Sequence, residues 1–216
     1  MNALVQGLYP ILSDNVVDPQ TFVELAGRLA ALTTVMQVRV KALADRDAVT
    51  LHAAIADRLS DWPGLLVIND RADLARLLWL HCKQHRLKVG LHLGQTDLPP
   101  EVARAIVGPE VAIGLSTHDL AQLRAALAEA AIDHVALGPI FGTQSKANPD
   151  PVVGLDVLRE GAALAEAAGR PLVAIGGITA TSAPAVYAAG AAAVAVIGAL
   201  FADLDGAAAF LRPRPQ

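Results

Sequence analysis

Residues 171–202 read PLVAIGGITATSAPAVYAAGAAAVAVIGALFA and contain no Asp, Glu, Lys or Arg. Residues 185–201 are long and apolar enough to raise the question of a membrane-spanning helix. Alanine and glycine dominate the stretch, however, and two short apolar runs, 172–175 and 193–197, flank a Gly-Gly pair and a segment with helical spacing. We therefore interpret the stretch as strand, turn, helix and strand of a soluble domain, and expect no membrane association.

The same alternation recurs along the chain. The apolar runs typical of buried strands are 8–12, 35–40, 65–68, 89–93, 111–115, 135–137, 172–175 and 193–197. The segments that follow them with helical spacing are 22–32, 48–59, 72–85, 101–107, 120–130, 155–168, 183–189 and the end of the chain from Phe201. Asp18 and Asp119 stand where helix N-caps are expected. Eight strand-helix units predict parallel strands that close into a (β/α)₈ TIM barrel, an α/β fold. An open doubly wound sheet is the alternative, although no Gly-x-Gly-x-x-Gly follows an early strand.

Length, net charge and cysteine content limit the domain organisation and the classes of function that the chain can have. The chain has 216 residues without a long linker, which predicts a single domain over residues 1–216. The net charge of −4 gives no excess of positive charge for binding nucleic acid, so we expect no nucleic-acid partner. Cys82 stands alone, so an intramolecular disulfide is excluded, and a packed thiol in a reducing, cytoplasmic setting is expected. A homo-oligomer is compatible with the sequence.

Scarce polar residues follow the predicted strands. Gln37, Arg39 and Lys41 alternate along the second strand and share one face, where two cations and an amide would cradle a phosphate or diphosphate. Asp70 and Asp97 follow the third and fourth strands. Because the carboxyl ends of barrel strands meet at one face, these carboxylates are candidate Mg²⁺ ligands. Helix N-capping, or ion pairing with the nearby bases, is the alternative.

The remaining strand ends point to small-molecule binding. Ser116 follows the fifth strand and can hydrogen-bond an anion, whereas His118 either caps the next helix or contacts a substrate. Residues 138–151 form the longest polar loop and include Lys146, which indicates a binding loop over a negatively charged ligand. Glycines after strands seven and eight let backbone amides approach a second phosphate.

Seven motifs in this order carry a family resemblance through almost the whole chain. They are Leu8-Tyr9-Pro10-Ile11-Leu12-Ser13-Asp14, Gln37-x-Arg39-x-Lys41, Ile68-Asn69-Asp70, His92-Leu93-Gly94-Gln95-x-Asp97, Ile113-Gly114-x-Ser116-x-His118, Gly138-Pro139-Ile140-Phe141-x-Thr143-x-Ser145-Lys146 and Ala174-Ile175-Gly176-Gly177-Ile178. With them the chain resembles the thiamine phosphate synthase family, whose members join a pyrimidine diphosphate to a thiazole phosphate. The resemblance implies a (β/α)₈ barrel, Mg²⁺ and these two small-molecule substrates.

The resemblance also implies roles for individual residues. The pyrimidine diphosphate would be bound by Gln37, Arg39, Lys41, Asn69, Ser116 and Lys146. Among these, Arg39, Lys41 and Lys146 would supply the positive charge that promotes catalysis. Asp70 and Asp97 would hold Mg²⁺. The thiazole phosphate would be bound by Thr143, Ser145, Gly177, Ile197 and Gly198.

Three positions depart from the usual family pattern. Gly142 stands where proline is common, Ser145 where threonine is common, and Gly198 where serine is usual, which leaves only backbone donors at that point. Two alternative functions remain: a thiazole tautomerase on the same barrel, and a binding protein without catalytic activity. A tautomerase has no diphosphate to bind, so Arg39, Lys146 and the two aspartates argue against it.

Overall fold

A computed structural model describes residues 4–142 and 150–211. Its centre is a closed barrel of eight parallel strands, in which each strand pairs with the next along the chain and β8 pairs with β1. The strands are β1 (Gly7–Ser13), β2 (Val35–Arg39), β3 (Leu65–Asn69), β4 (Lys88–Leu93), β5 (Ala112–Thr117), β6 (His134–Leu137), β7 (Leu172–Ile175) and β8 (Ala193–Val196). The helices are α1 (Phe22–Leu29), α2 (Asp45–Arg58), α3 (Ala72–His81), α4 (Pro100–Val107), α5 (Leu120–Ala128), α6 (Gly154–Ala167), α7 (Ala183–Ala188) and α8 (Gly198–Ala202). The predicted (β/α)₈ barrel is confirmed.

The core has two layers because alternate residues of each strand face opposite sides. The inner layer fills the lumen with small and branched side chains, among them Val35, Val67, Ala112 and Val173. The outer layer lies between the strands and the helices and contains larger side chains such as Phe22.

The helix boundaries differ from the predictions at a few points. α3 ends at His81 rather than residue 85, because the backbone of Cys82 leaves helical geometry and His85 N–H closes a turn onto its carbonyl. Asp18 caps a 3₁₀ turn, Pro19–Thr21, that precedes α1. Asp119 caps α5 as expected, since its carboxylate accepts the Gln122 N–H at 2.7 Å.

The uncharged stretch 171–202 forms β7, a turn, α7, β8 and the short α8. Within residues 4–142 and 150–211, no helix has both the length and the apolar character needed to cross a membrane. The sole cysteine, Cys82, is buried, and burial together with nearby Asp57 raises the pKa of its thiol to about 11. The thiol is therefore packed and protonated at neutral pH.

Candidate active site

A cavity of about 390 Å³ opens at the carboxyl ends of the strands. Every strand of the barrel contributes to its wall. Apolar side chains including Ile11, Val173 and Ile175 line one part, and polar side chains from β2 to β5 line another. A barrel of this kind binds and transforms its substrates at this face.

Hydrogen bonds connect three polar side chains on the neighbouring strands β1, β2 and β3. Tyr9 Oη donates to Gln37 Oε1 at 3.0 Å, and Gln37 Nε2 donates to Asn69 Oδ1 at 2.7 Å. Tyr9 and Gln37 are buried, and burial raises the pKa of the Tyr9 phenol well above its ordinary value. The phenol therefore stays protonated and orients the Gln37 amide, which in turn donates to Asn69.

Arg39 stands one step further out on the same face of β2 and lines the cavity. Its Nη1 donates to Ser13 Oγ at 3.1 Å, and Ser13 Oγ donates to Asn15 Oδ1 at 2.6 Å. Among the described residues no carboxylate forms an ion pair with Arg39. Its positive charge therefore remains available to an anionic ligand.

Lys41 lies just beyond β2, on a loop that Asp14 holds in place. One oxygen of the Asp14 carboxylate accepts the backbone N–H groups of Lys41 and Ala42 at 2.6 and 2.8 Å. The Lys41 ammonium contacts the Asp70 carboxylate at the end of β3. The ion pairing considered as an alternative for Asp70 is thus present.

Asp70 and Asp97 lie side by side. Burial raises the pKa of the Asp97 carboxyl, and the adjacent Asp70 carboxylate raises it further, against a hydrogen bond from the Gly94 N–H that lowers it. Asp70 adopts a left-handed backbone with φ of 62°, which is uncommon for a residue other than glycine. Two carboxylates this close repel each other unless a proton or a cation lies between them.

The donor set is compatible with Mg²⁺. Within the described ranges no group of three or more His, Cys, Asp or Glu side chains could hold a metal ion. Mg²⁺ is commonly held by one or two carboxylates, with water and substrate phosphate oxygens completing its shell. Asp70 and Asp97 match that pattern.

The end of β5 carries two polar contacts. Ser116 Oγ lies 2.8 Å from His92 Nε2, and both residues line the cavity. His118 does not cap α5, a role taken by Asp119; its Nδ1 lies 2.7 Å from the Gly138 carbonyl and 3.4 Å from Asp150 Oδ2. His118 therefore connects β5 to the segment that follows β6.

The turn after β7 requires glycine. Gly177 has φ of +64°, and a Cβ placed on it would lie 2.4 Å from the Gly142 carbonyl oxygen. The Gly176 carbonyl accepts the Phe141 N–H at 3.0 Å, so this turn packs directly on the segment after β6. Gly198 differs, because a Cβ there would meet no atom within 4 Å. Both Gly177 and Gly198 line the cavity, next to Ile197.

The structure brings most of the predicted site residues to one end of the barrel. Those that line the cavity are Gln37, Arg39, Asn69, Ser116, Gly177, Ile197 and Gly198. Lys41, Asp70 and Asp97 lie in the segments that follow β2, β3 and β4, outside that lining. Thr143, Ser145 and Lys146 lie outside the described residues.

Comparison with known proteins gives the same picture. The family described as "Thiamine monophosphate synthase" matches residues 8–200. The chain belongs to this family. It is 43% identical over 201 residues to the thiamine-phosphate synthase of Koribacter versatilis (strain Ellin345), covering 91% of this chain and 89% of the relative. It is 41% identical over 211 residues to that of Methanoculleus marisnigri, covering 96% and 94%.

A solved structure of a family relative has the same fold. The thiamine phosphate pyrophosphorylase from Pyrococcus furiosus superposes with a TM-score of 0.75 at 27% identity, covering 97% of this chain and 93% of that one. The family match extends over every predicted site residue, from Gln37 to Gly198. The resemblance inferred from the motifs is confirmed.

Sequence reasoning missed several polar residues of this thiamine monophosphate synthase family site. Tyr9 and His92 belong to two of the family motifs, but the spacing of those motifs does not reveal that Tyr9 donates to Gln37 or that His92 contacts Ser116. Asp14 likewise gave no sign of its contact with the Lys41 backbone. For Tyr9 and His92 the available signal was their alternation with apolar neighbours, since a polar residue at a lumen position of a buried strand needs a partner.

Proposed function

We propose that this protein is a transferase of thiamine biosynthesis. It joins 4-amino-2-methyl-5-(diphosphomethyl)pyrimidine to hydroxyethylthiazole phosphate and releases thiamine phosphate and diphosphate. Family membership and relatives named thiamine-phosphate synthase over nine-tenths of the chain support this proposal.

One structural observation supports it most directly. Two regions suited to anions lie at the same barrel mouth, with apolar walls between them. Arg39 and Lys41 with the paired aspartates form one region at β2 to β4. The glycine-containing turns after β7 and β8 form the other. A reaction between a diphosphate and a monophosphate needs two such regions facing one shared space.

The residues favour a mechanism in which the leaving group departs first. The bond between the pyrimidine methylene carbon and the diphosphate oxygen breaks, and its electron pair leaves with diphosphate. The electron-rich pyrimidine ring stabilises the resulting cation, and the thiazole nitrogen lone pair then forms the new carbon–nitrogen bond. Arg39 and Lys41 stabilise the negative charge that develops on the leaving group. No side-chain nucleophile is needed, so the protein acts mainly by charge and positioning.

The lumen wall positions the pyrimidine. Gln37 and Asn69 are hydrogen-bonded to each other, and Gln37 also to the Tyr9 hydroxyl, so both amides are held in place at the cavity wall. Ile11, Val173 and Ile175 exclude water from the space where the cation forms. Lys146, outside the described residues, is proposed to bind the same diphosphate, and Thr143 and Ser145 the thiazole phosphate.

We also propose Mg²⁺ as the cofactor, held by Asp70 and Asp97. When bound, the ion supplies positive charge against the departing diphosphate. Its positive charge would offset the repulsion from Asp70, which adds to burial in raising the pKa of Asp97. The cytoplasm is the proposed location, since a protonated lone thiol at Cys82 suits a reducing compartment.

The coupling assay tests the function. Purified protein, both substrates and Mg²⁺ should give thiamine phosphate and diphosphate in equal amounts, measured by chromatography. A folded protein that forms no product above the no-enzyme control would refute the transferase proposal. Tight binding of both substrates in that case would favour the binding-protein alternative, and isomerisation of a thiazole substrate would favour the tautomerase.

The metal assignment has a separate test. Asp70→Asn and Asp97→Asn keep the shape of each side chain and remove its charge, and asparagine tolerates the left-handed backbone at position 70. Each variant should need a higher Mg²⁺ concentration for half-maximal activity, and the double variant should lose measurable activity. Asp119→Asn, which changes a helix cap away from the cavity, serves as the matched control. Unchanged Mg²⁺ dependence in the double variant would contradict the assignment.

A further inference from the structure

Three lumen-facing residues stand side by side on neighbouring strands. Gly114 of β5 is paired in register with His92 of β4 on one side and with His134 of β6 on the other. His134 has no exposed surface, and neither of its ring nitrogens has a hydrogen-bond partner in the described part of the chain. Burial, with a smaller contribution from His92, lowers the pKa of His134 to about 3. Its imidazole is therefore neutral at pH 7 and carries one N–H.

The glycine between the two rings brings them close. A Cβ on Gly114 would lie 2.2 Å from His134 Nε2 and 2.7 Å from His92 Nδ1. These two nitrogens are therefore at most about 4.9 Å apart, the sum of those distances. Two hydrogen bonds of about 2.9 Å each can span such a separation through one water molecule, and a small ring movement allows direct contact. Any residue larger than glycine at 114 would occupy this space.

The other nitrogen of His92 faces the proposed substrate site. His92 Nε2 lies 2.8 Å from Ser116 Oγ, and Ser116 lines the cavity. If Nε2 carries the proton, it donates to Ser116 Oγ and the serine hydroxyl is free to donate to an anion. If Nδ1 carries it, the serine hydroxyl donates to Nε2 instead. In a neutral histidine, the hydrogen bond at one nitrogen sets the tautomer at the other.

We propose that His134 is a positioning residue that donates its Nε2–H towards His92 Nδ1, directly or through one water, and so holds His92 in the Nε2–H tautomer. Ser116 is then left with its hydroxyl proton directed at the substrate anion. Naming that anion as the pyrimidine diphosphate rests on the proposed function, but the tautomer does not. His134 lies behind His92 and is not itself one of the residues that line the cavity, so it acts through His92.

Nitrogen NMR of histidine-labelled protein tests the tautomer without substrate. His92 in the wild-type protein should show a protonated Nε2 and an unprotonated Nδ1 at pH 7. His134→Gln should preserve this state, because the glutamine amide nitrogen can take the place of Nε2–H. His134→Leu removes the donor, and His134→Asn shortens it, so both should shift His92 towards the Nδ1–H form.

Kinetics provide the second measurement. His134→Leu should raise the KM for the pyrimidine diphosphate by about tenfold, as expected for a weakened hydrogen bond to a charged group, and leave the KM for the thiazole phosphate unchanged. His134→Gln should restore the wild-type KM. In a Ser116→Ala background, His134→Leu should add no further change, because the hydroxyl that it controls is absent.

The outcomes separate this proposal from the proposed function. A protonated Nδ1 on His92 in the wild-type protein would overturn the positioning role, and that measurement needs no variant to fold. An Nε2–H tautomer that persists in both His134→Leu and His134→Asn would overturn it as well. Absence of coupling activity, with the expected tautomers in all variants, would refute the transferase alone.

Discussion

The turn after β7 allows a quantitative test of the second anion region. In Gly177→Ala, the new Cβ would lie 2.4 Å from the Gly142 carbonyl oxygen and 2.8 Å from the Phe141 carbonyl. The left-handed backbone costs an alanine about 1–2 kcal/mol. Overpacking against backbone atoms, which cannot rotate away, costs about 1–3 kcal/mol more. Each kcal/mol lowers the Tm of a domain of this size by about 2–4 °C.

We therefore expect Gly177→Ala to lower the Tm by at least about 4 °C and to raise the KM for the thiazole phosphate. Gly198→Ala is the matched control, since it lines the same cavity but its Cβ enters open space. That variant should stay within about 0.5 kcal/mol of the wild-type stability. Thermal unfolding measures the Tm of each variant, and steady-state kinetics measures its KM for the thiazole phosphate. Equal Tm values for the two variants would show that the Gly177 turn does not pack as described.

Three further predictions concern acid stability, a helix cap and the second phosphate region. Unfolded His134 binds a proton near pH 6.5 but folded His134 only near pH 3, so stability falls as pH falls through that window. Between these pH values the free energy of unfolding of the wild-type protein should fall by up to about 1.4 kcal/mol per pH unit more than that of His134→Gln, as measured by denaturant unfolding. Equal pH dependence of the two proteins would contradict the prediction. Asp119→Ala should remove the α5 cap, cost about 1 kcal/mol and leave both KM values unchanged; a kinetic effect would indicate a wrong placement. Gly198→Ser should add a hydroxyl donor in free space and lower the KM for the thiazole phosphate, whereas a higher KM would place that phosphate elsewhere.

The barrel was predictable because its signals are local. A run such as Val35 to Val40 and the helical segment after it identify one strand-helix unit, and eight repeats leave few ways to close the sheet. The end of α3 was less accessible, because apolar spacing continues beyond His81 while the backbone turns at Cys82. No glycine or proline stands at residues 82–87 to indicate that turn in the sequence.

The site was predictable where residues follow strands in a motif. Gln37 and Arg39 share one face of their strand by alternation, Asn69 was added by the family resemblance, and the structure places all three in the cavity wall. The partners of these residues come from other strands, so only the register of the closed sheet reveals them. His134 illustrates the difference, because its neighbour His92 is 42 positions away in sequence and two strands away in space.

The left-handed backbone at Asp70 has a consequence for directed evolution. A non-glycine residue in this conformation gives up stability that glycine would recover, while its carboxylate is the proposed metal ligand. Selection of a variant library for heat resistance alone should therefore enrich glycine at position 70, and the enriched proteins should need a higher Mg²⁺ concentration for half-maximal activity. Selection for thiamine phosphate formation should keep aspartate there despite its cost, so the two selections should diverge at this single codon.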